Sequence, residues 1–256
     1  MNVFSDALAA LVFFTKLPLW KWRIIPAESF RRIIPFWALT ALLTAAVLAG
    51  TWWLFSTIFP TVVALVLAFA ARTLFTGALH EDGLSDFFDG FGGGRTKADT
   101  LRIMKDSSVG SFALIGMIAY YFLLIGVLSA LPKELIFNVL LIADPAAKFF
   151  VSLSLNFLSY ARTEAESKAK VIFEKSSVLK LIMATFFGLV PLFVLFNWQL
   201  IALILVPAFV VFVLSKMIRS RIGGYTGDTC GAIALLTELS FFFAFLAYNQ
   251  LINKII

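Results

Sequence analysis

The feature that most limits this chain is a succession of apolar runs, each about as long as a bilayer is thick. A spanning helix needs about 20 mostly apolar residues. Seven segments qualify: 36–58, 61–79, 109–131, 135–158, 178–196, 199–217 and 232–252. Lipid offers no hydrogen-bond partners to the backbone, so such runs fold as helices, which satisfy their own N–H and C=O groups. The predicted fold is therefore an all-α, polytopic membrane bundle of about seven transmembrane helices. With 61% apolar residues, 29 of them Phe, the chain is excluded from the ordinary soluble class. Pro60 alone separates the first two runs, which read as a tight hairpin. Leu131-Pro132-Lys133-Glu134 breaks the third from the fourth, and Asn197-Trp198-Gln199 the fifth from the sixth.

The segment Val3–Trp20 is apolar but carries Asp6 and Lys16 and stops at Pro18. It has no basic leader and no small-residue cleavage site, so a removable signal is not expected. An interfacial or re-entrant helix is predicted, with Phe4, Leu8, Leu11 and Val12 on one face. Trp20, Trp22 and Trp37 suit the membrane interface at its exit.

Orientation follows from the basic residues. Lys16, Lys21, Arg23, Arg31 and Arg32 precede the first span. Arg95, Lys97, Arg102 and Lys105 lie in the 80–108 loop, Arg162, Lys168, Lys170, Lys175 and Lys180 in 160–180, and Lys216, Arg219 and Arg221 in 216–231. With seven spans these 17 share one side, against Lys133 and Lys254 on the other, while Arg72 and Lys148 fall within spans. The positive-inside rule makes that side cytoplasmic. Cys230 is the sole cysteine, so no internal disulfide forms, and with His80 the sole histidine a structural zinc site is not expected. No internal repeat and no basic stripe of the nucleic-acid-binding kind is present. Residues 1–256 read as one membrane domain with functional loops 80–108, 160–180 and 216–231.

Against this oily background, Glu81, Asp82, Asp86, Asp89, Asp99 and Asp106 hold six of 15 acidic residues. If the second span continues as helix past Leu79, then Asp82, Asp86 and Asp89 fall within about 60° of one another on one face. At about 5 Å and an effective dielectric near 20, each pair repels by roughly 3 kcal/mol. A divalent cation removes that penalty. Oxygen-only ligands favour Mg²⁺, Mn²⁺ or Ca²⁺, and Mg²⁺ typically joins one or two carboxylates to substrate phosphates. The plainer reading is a solvated helix end. Gly90 and Gly92-Gly93-Gly94 then allow close backbone approach to a ligand, or form a flexible loop. Downstream, Arg102 and Lys105 are placed to pair with phosphate oxygens, and Asp106 to bind metal or position a nucleophile. The same segment also reads as a helix cap before the third span.

A second cluster, Arg219-Ser-Arg221-Ile-Gly223-Gly224-Tyr-Thr-Gly227-Asp228-Thr-Cys-Gly231, leads into the last span. Asp228 is either a site residue or an N-cap, a position where Asp and Thr are favoured. Glu238 lies about two turns inside an apolar helix, where an ionisable group signals function by default. The same holds for Arg72 and for Asp144 and Lys148, which at i, i+4 also suit a structural pair. Together the clusters suggest a cytoplasmic-face site that holds a phosphorylated substrate between metal and arginines.

Phe14-Thr-Lys16-Leu-Pro18, Leu79-His80-Glu-Asp82-Gly-Leu-Ser-Asp86-Phe-Phe-Asp89-Gly90, Arg102-Ile-Met-Lys105-Asp106-Ser-Ser-Val-Gly110, Tyr160-Ala-Arg162 and Gly223-Gly-Tyr-Thr-Gly227-Asp228-Thr-Cys-Gly231-Ala232 resemble the cobalamin synthase family, nearly end to end. The resemblance implies a Mg²⁺-dependent phosphotransferase of the bacterial inner membrane, an adenosylcobinamide-GDP ribazoletransferase with a cytoplasmic N-terminus and active site. Such enzymes join adenosylcobinamide-GDP to α-ribazole or its 5′-phosphate, releasing GMP. It implies Asp82, Asp86 and Asp89 as metal ligands and one of Asp86, Asp89 or Asp106 as general base. Arg102, Lys105 and Arg221 are implied as phosphate contacts, with Gly227, Asp228 and Glu238 completing the site. The bilayer and the two substrates are the expected partners, nucleic acid is not, and a homo-oligomer is compatible. After Arg162 the chain reads Thr-Glu-Ala-Glu-Ser-Lys-Ala-Lys-Val, where many relatives carry a glycine-containing loop, so no role is transferred there.

Two other readings compete. Asp86–Gly90 matches the Asp-x-x-Asp-Gly of CDP-alcohol phosphatidyltransferases, but Phe91-Gly-Gly follows in place of that pattern's continuation. An ion-coupled transporter also explains Asp144, Lys148 and Glu238, yet it predicts mid-membrane acids on broken helices, often in repeated halves.

Overall fold

The computed structural model describes residues 3–162, 172–195 and 203–255, with side chains as far as Leu251. The Asn197-Trp198-Gln199 break, Lys168, Lys170 and the departure at 163–171 lie outside the described residues. Among the described residues ten α-helices run in order: α1 (Val3–Phe14), α2 (Trp37–Phe55), α3 (Thr61–Thr76), α4 (Leu79–Gly93), α5 (Lys97–Ile103), α6 (Ser111–Ser129), α7 (Lys133–Ser154), α8 (Val178–Leu195), α9 (Leu205–Ile222) and α10 (Gly227–Ile255). Three 3-10 turns link α1 to α2. No strand forms among the described residues; Tyr160 and Tyr225 make one isolated parallel bridge. The chain is a polytopic helical membrane protein.

Punctuation follows residue chemistry. Pro60 and Pro132 precede α3 and α7, where a missing N–H costs nothing. Thr96 caps α5 by accepting the Asp99 N–H at 3.1 Å. Gly223, at φ +83°, closes α9 in the left-handed conformation that glycine adopts without strain. Pro145 and Pro191 sit inside α7 and α8, as bundled membrane helices allow.

Among the described residues five helices, α2, α6, α7, α8 and α10, are long and apolar enough to cross a membrane, and α3 with α4 makes a sixth if counted as one bent span. The expected 199–217 run lies partly outside the described residues, and its described part belongs to α9. α9 carries Lys216, Arg219 and Arg221 at its end and is less apolar than a simple span. The second span does not continue past Leu79. Gly77 (φ +68°) and Ala78 (φ +58°) both turn left-handed, and α4 leaves α3 at 95°. The turn is braced: the Ala78 N–H reaches the Thr73 carbonyl at 2.8 Å, and the Lys16 N–H reaches the Phe75 carbonyl at 2.8 Å. The bend lays the acidic segment across the end of the bundle. Most of the expected 80–108 loop is therefore helix.

α7 and α10 are central, with 78% and 72% of their apolar windows buried, against 28% and 22% for α6 and α8. The charges on these inner helices are matched. Arg72 of α3 donates to Glu238 of α10 at 2.5 Å and lies over the Phe69 ring, and all three are buried. Asp144 pairs with Lys148 and accepts the Thr44 hydroxyl. Ions this deep persist only when paired, because desolvation otherwise exceeds any gain. Asp144–Lys148 is thus a structural pair, and Glu238 answers Arg72.

α1 packs with one face inward and the other outward. Phe4 is exposed, and Leu8, Leu11 and Val12 are half-buried, while Asp6, Ala9, Ala10 and Phe14 face inward. Burial alone would push the Asp6 carboxyl up. Hydrogen bonds from Arg32 (3.1 Å) and Lys180 (3.1 Å) overrule it and hold that carboxyl below the usual range. This cluster ties α1 to α8.

Candidate active site

α4 meets the start of α10 almost backbone to backbone. A Cβ at Gly83 would lie 2.7 Å from the Asp228 carbonyl, and one at Gly231 would lie 3.0 Å from the His80 carbonyl. Only hydrogen fits at either position, so these two glycines set how close Asp82 and Asp228 come. The adjoining 223–226 turn is fixed as well. The Tyr225 N–H donates to the Ser159 carbonyl and the Ala161 N–H to the Tyr225 carbonyl, each at 2.8 Å.

At this junction is a cavity of about 110 Å³ lined by Asp82, Arg162, Asp228, Gly227, His80 and an aromatic wall that includes Phe14, Trp37, Tyr160 and Phe173. Phe14 stacks on Trp37 at 4.7 Å, and the His80 ring lies 5.4 Å from Trp37. The N-termini of α4 and α10 both open here. Helix N-termini present free N–H groups and positive dipole ends, which favour phosphate. Arg162 adds a fixed charge: it donates to the Leu101 carbonyl at 3.0 Å and stands 3.6 Å from Asp228 Oδ2. The arrangement can hold a phosphorylated group against arginine and helix ends, with carboxylates beside it for a cation or a proton.

Asp228 is not the cap of α10. Thr226 and Thr229 fill that role reciprocally: the Thr226 N–H donates to Thr229 Oγ1 at 2.8 Å, and the Thr229 N–H to Thr226 Oγ1 at 3.2 Å. This is a capping box with Thr in the usual Glu/Gln place, and it leaves the Asp228 carboxylate to the cavity wall.

The acidic face of α4 divides. Asp82 is exposed at the cavity, Asp86 is half-buried one turn on, and Asp89 is buried elsewhere. Both Asp89 oxygens are spent on the start of α6, accepting the N–H groups of Gly110 at 2.6 Å and Ala113 at 2.7 Å. Among the described residues no three His, Cys, Asp or Glu side chains converge as a ready metal site. The expected Asp82–Asp86–Asp89 trio is therefore not a preformed cluster. The bare N-terminus of α6 engages its third member.

The other expected residues are equally distinct in placement. Asp106 is exposed in the turn before α6 and accepts the Ser108 N–H at 2.9 Å; that backbone bond holds its carboxyl below the usual range. It behaves as the turn acceptor that the capping reading expects. Arg102 and Lys105 are exposed at the end of α5 and do not line the cavity. Arg221 donates to the Gly94 carbonyl at 2.6 Å and lies over Phe91, so it secures the end of α4. Glu238 lies about 15 Å further along α10 from Asp228 and is occupied with Arg72. Arg162 and the aromatic wall were not among the expected site residues, although the Tyr160-Ala-Arg162 run held the signal.

Residues 6–246 match the cobalamin-5-phosphate synthase family. A protein of Shewanella baltica (strain OS185) named adenosylcobinamide-GDP ribazoletransferase is 32% identical over 249 residues, covering 96% of this chain and 95% of that one. Proteins of the same name from Shewanella frigidimarina and Shewanella oneidensis are 34% and 32% identical, over 96% and 95% of this chain and 95% and 94% of theirs. No solved structure matches. With nearly every residue of the bundle inside the matched range, this chain belongs to the cobalamin-5-phosphate synthase family.

Proposed function

We propose that the chain is an adenosylcobinamide-GDP ribazoletransferase, the activity for which its relatives are named. It moves the phosphocobinamide group of adenosylcobinamide-GDP to a hydroxyl of α-ribazole, or of its 5′-phosphate, and releases GMP. A new P–O bond forms to the ribazole oxygen, the pyrophosphate P–O bond breaks, and GMP leaves with the bonding pair. The observation that carries this reading is the cavity where two helix N-termini, Arg162, Asp82 and Asp228 meet. It suits a pyrophosphate, and it opens on the side that carries most of the basic residues, taken here as the cytoplasmic face of the inner membrane.

The donor set fits Mg²⁺ in a reduced form. Asp82 and Asp228 bring two carboxylates to one cavity, and Mg²⁺ asks for one or two carboxylates plus substrate phosphates. Asp82, with Asp228, would hold it. The ion supplies charge neutralisation of the pyrophosphate. Arg162 and the first turn of α10 orient the phosphate oxygens, positioning that accounts for much of phosphoryl-transfer catalysis. Among the three acids considered as proton acceptor, Asp89 is engaged with α6 and Asp106 stands outside the cavity with weakened basicity. Asp86 is assigned the proton on its placement one helical turn along α4 from Asp82.

The test is turnover by the purified protein in lipid nanodiscs. Adenosylcobinamide-GDP, α-ribazole and Mg²⁺ are supplied, and GMP and the corrinoid product are followed by chromatography. Mg²⁺-dependent release of GMP matched by new corrinoid is the expected result. Absence of both, with the protein intact and inserted, rules the assignment out.

A further inference from the structure

A second cavity of about 460 Å³ lies between the end of α7 and α9, away from the catalytic cavity. Its walls are apolar, with Phe150 and Phe157 on one side and Phe212 on the other, and Phe157 and Phe212 are largely exposed. One end of it is polar. Lys216 and Arg219, three residues apart on one face of α9, line that end, and neither makes an ion pair among the described residues. Ser215 Oγ is buried at the same place with no hydrogen-bond partner among the described residues.

The polar end has a definite level in the bundle. α9 runs from Lys216 to the Gly223 turn, and Tyr225 is bonded to Ser159. Lys216 and Arg219 thus sit at the same end of the bundle as the catalytic cavity, on the side with the surplus of basic residues. An apolar groove capped by two cations and a hydroxyl donor matches a molecule with a hydrocarbon chain and an anionic phosphate head. A second copy of this chain would set like charges against each other, and a neutral lipid leaves both cations unmatched.

We propose that this groove binds an anionic glycerophospholipid, one acyl chain between α7 and α9 and its phosphate on Lys216, Arg219 and Ser215. Basic residues at a membrane boundary attract anionic headgroups within a Debye length. The lipid fills a gap between two helices that the side chains of the described residues leave open. Its occupancy does not depend on the reaction proposed for the other cavity.

Lipid retention tests this without any substrate. Protein is exchanged into nanodiscs of phosphatidylcholine with graded phosphatidylglycerol, and the lipids kept on release are counted by native mass spectrometry. Wild type is expected to keep phosphatidylglycerol about tenfold better than phosphatidylcholine, with the preference falling as salt rises. Lys216→Gln with Arg219→Gln, both exposed positions, brings the ratio near one. Ala208→Trp, which fills the groove without touching the charges, lowers retention of both lipids. Equal retention of the two lipids by wild type overturns the proposal, as does an unchanged preference in the double variant. A lipid-independent dimer trapped by crosslinking Phe212→Cys also overturns it, by assigning the groove to a second copy.

Discussion

Two groups of carboxylates in this molecule follow opposite rules. Inside the bundle, Glu238 and Asp144 are each matched to a cation at contact distance, Arg72 and Lys148, and exposed to almost nothing. At the end of the bundle, Asp82 is exposed and Asp228 shares Arg162 at a loose 3.6 Å. In a low dielectric an unmatched charge is ruinous, so the interior pairs have no capacity left for a ligand. At the boundary water pays part of the desolvation, and a carboxylate can wait for a cation or a proton. Depth alone is a poor guide to function here. What separates the groups is the tightness of the pairing, contact distance in the interior against 3.6 Å between Arg162 and Asp228.

The sharpest way to break this contrast is to strip an interior charge. Arg72→Ala leaves Glu238 buried without its partner and is expected to cost about 3–5 kcal/mol. Thermal unfolding in detergent measures it, and a shift of only a degree or two would show that the pair is not structural. Arg72→Lys should recover part of the loss.

Asp82→Asn comes next and should act on activity rather than folding. Turnover is expected to fall about 10²–10³-fold, the scale for removing one electrostatic contact to a developing charge, with unfolding temperature within the error of wild type. Near-normal GMP release by this variant would remove Asp82 from the site. Arg162→Ala tests the same cavity through phosphate binding and should raise KM more than it lowers kcat.

Gly83→Ala joins the two regions. Its methyl group would meet the Asp228 carbonyl, prising α4 from α10 at a cost of about 1–3 kcal/mol. Turnover should fall by more than the lost stability explains, because Asp82 and Asp228 move apart. If activity tracks stability alone, the close approach has no functional weight.

The smallest effect is expected at Asp106. Asp106→Asn keeps a side-chain oxygen for the Ser108 N–H, and turnover should change less than about fivefold by the ordinary scale of an exposed turn. A loss of a hundredfold would return Asp106 to the list of proton acceptors and sink the assignment to Asp86.

Much of this was legible in the linear chain. Hydropathy is local and additive, so the runs at 36–58, 109–131, 135–158 and 178–196 could be read as helices without knowing their neighbours. The face of α1 was legible for the same reason. The phase of Asp82, Asp86 and Asp89 was correct as azimuth on a helix, but azimuth does not say what each residue will meet. Asp89 meets the start of α6, which Gly110 cannot cap with a side chain. Arg162 was visible only as part of a short motif, since nothing local reveals that residue 162 will stand beside residue 228.

The sequence by itself determined a polytopic helical membrane protein with most of its basic residues in a few polar segments, and its motifs placed it in its family. These properties depend on residue type and spacing, which any stretch of chain displays without its neighbours. Only the tertiary structure decided which partner each carboxylate meets. A left-handed pair at Gly77–Ala78 turned α4 across the bundle, and glycines at 83 and 231 let α10 press against it. Charge answers to distance, and those distances exist only once helices from opposite ends of the chain have packed.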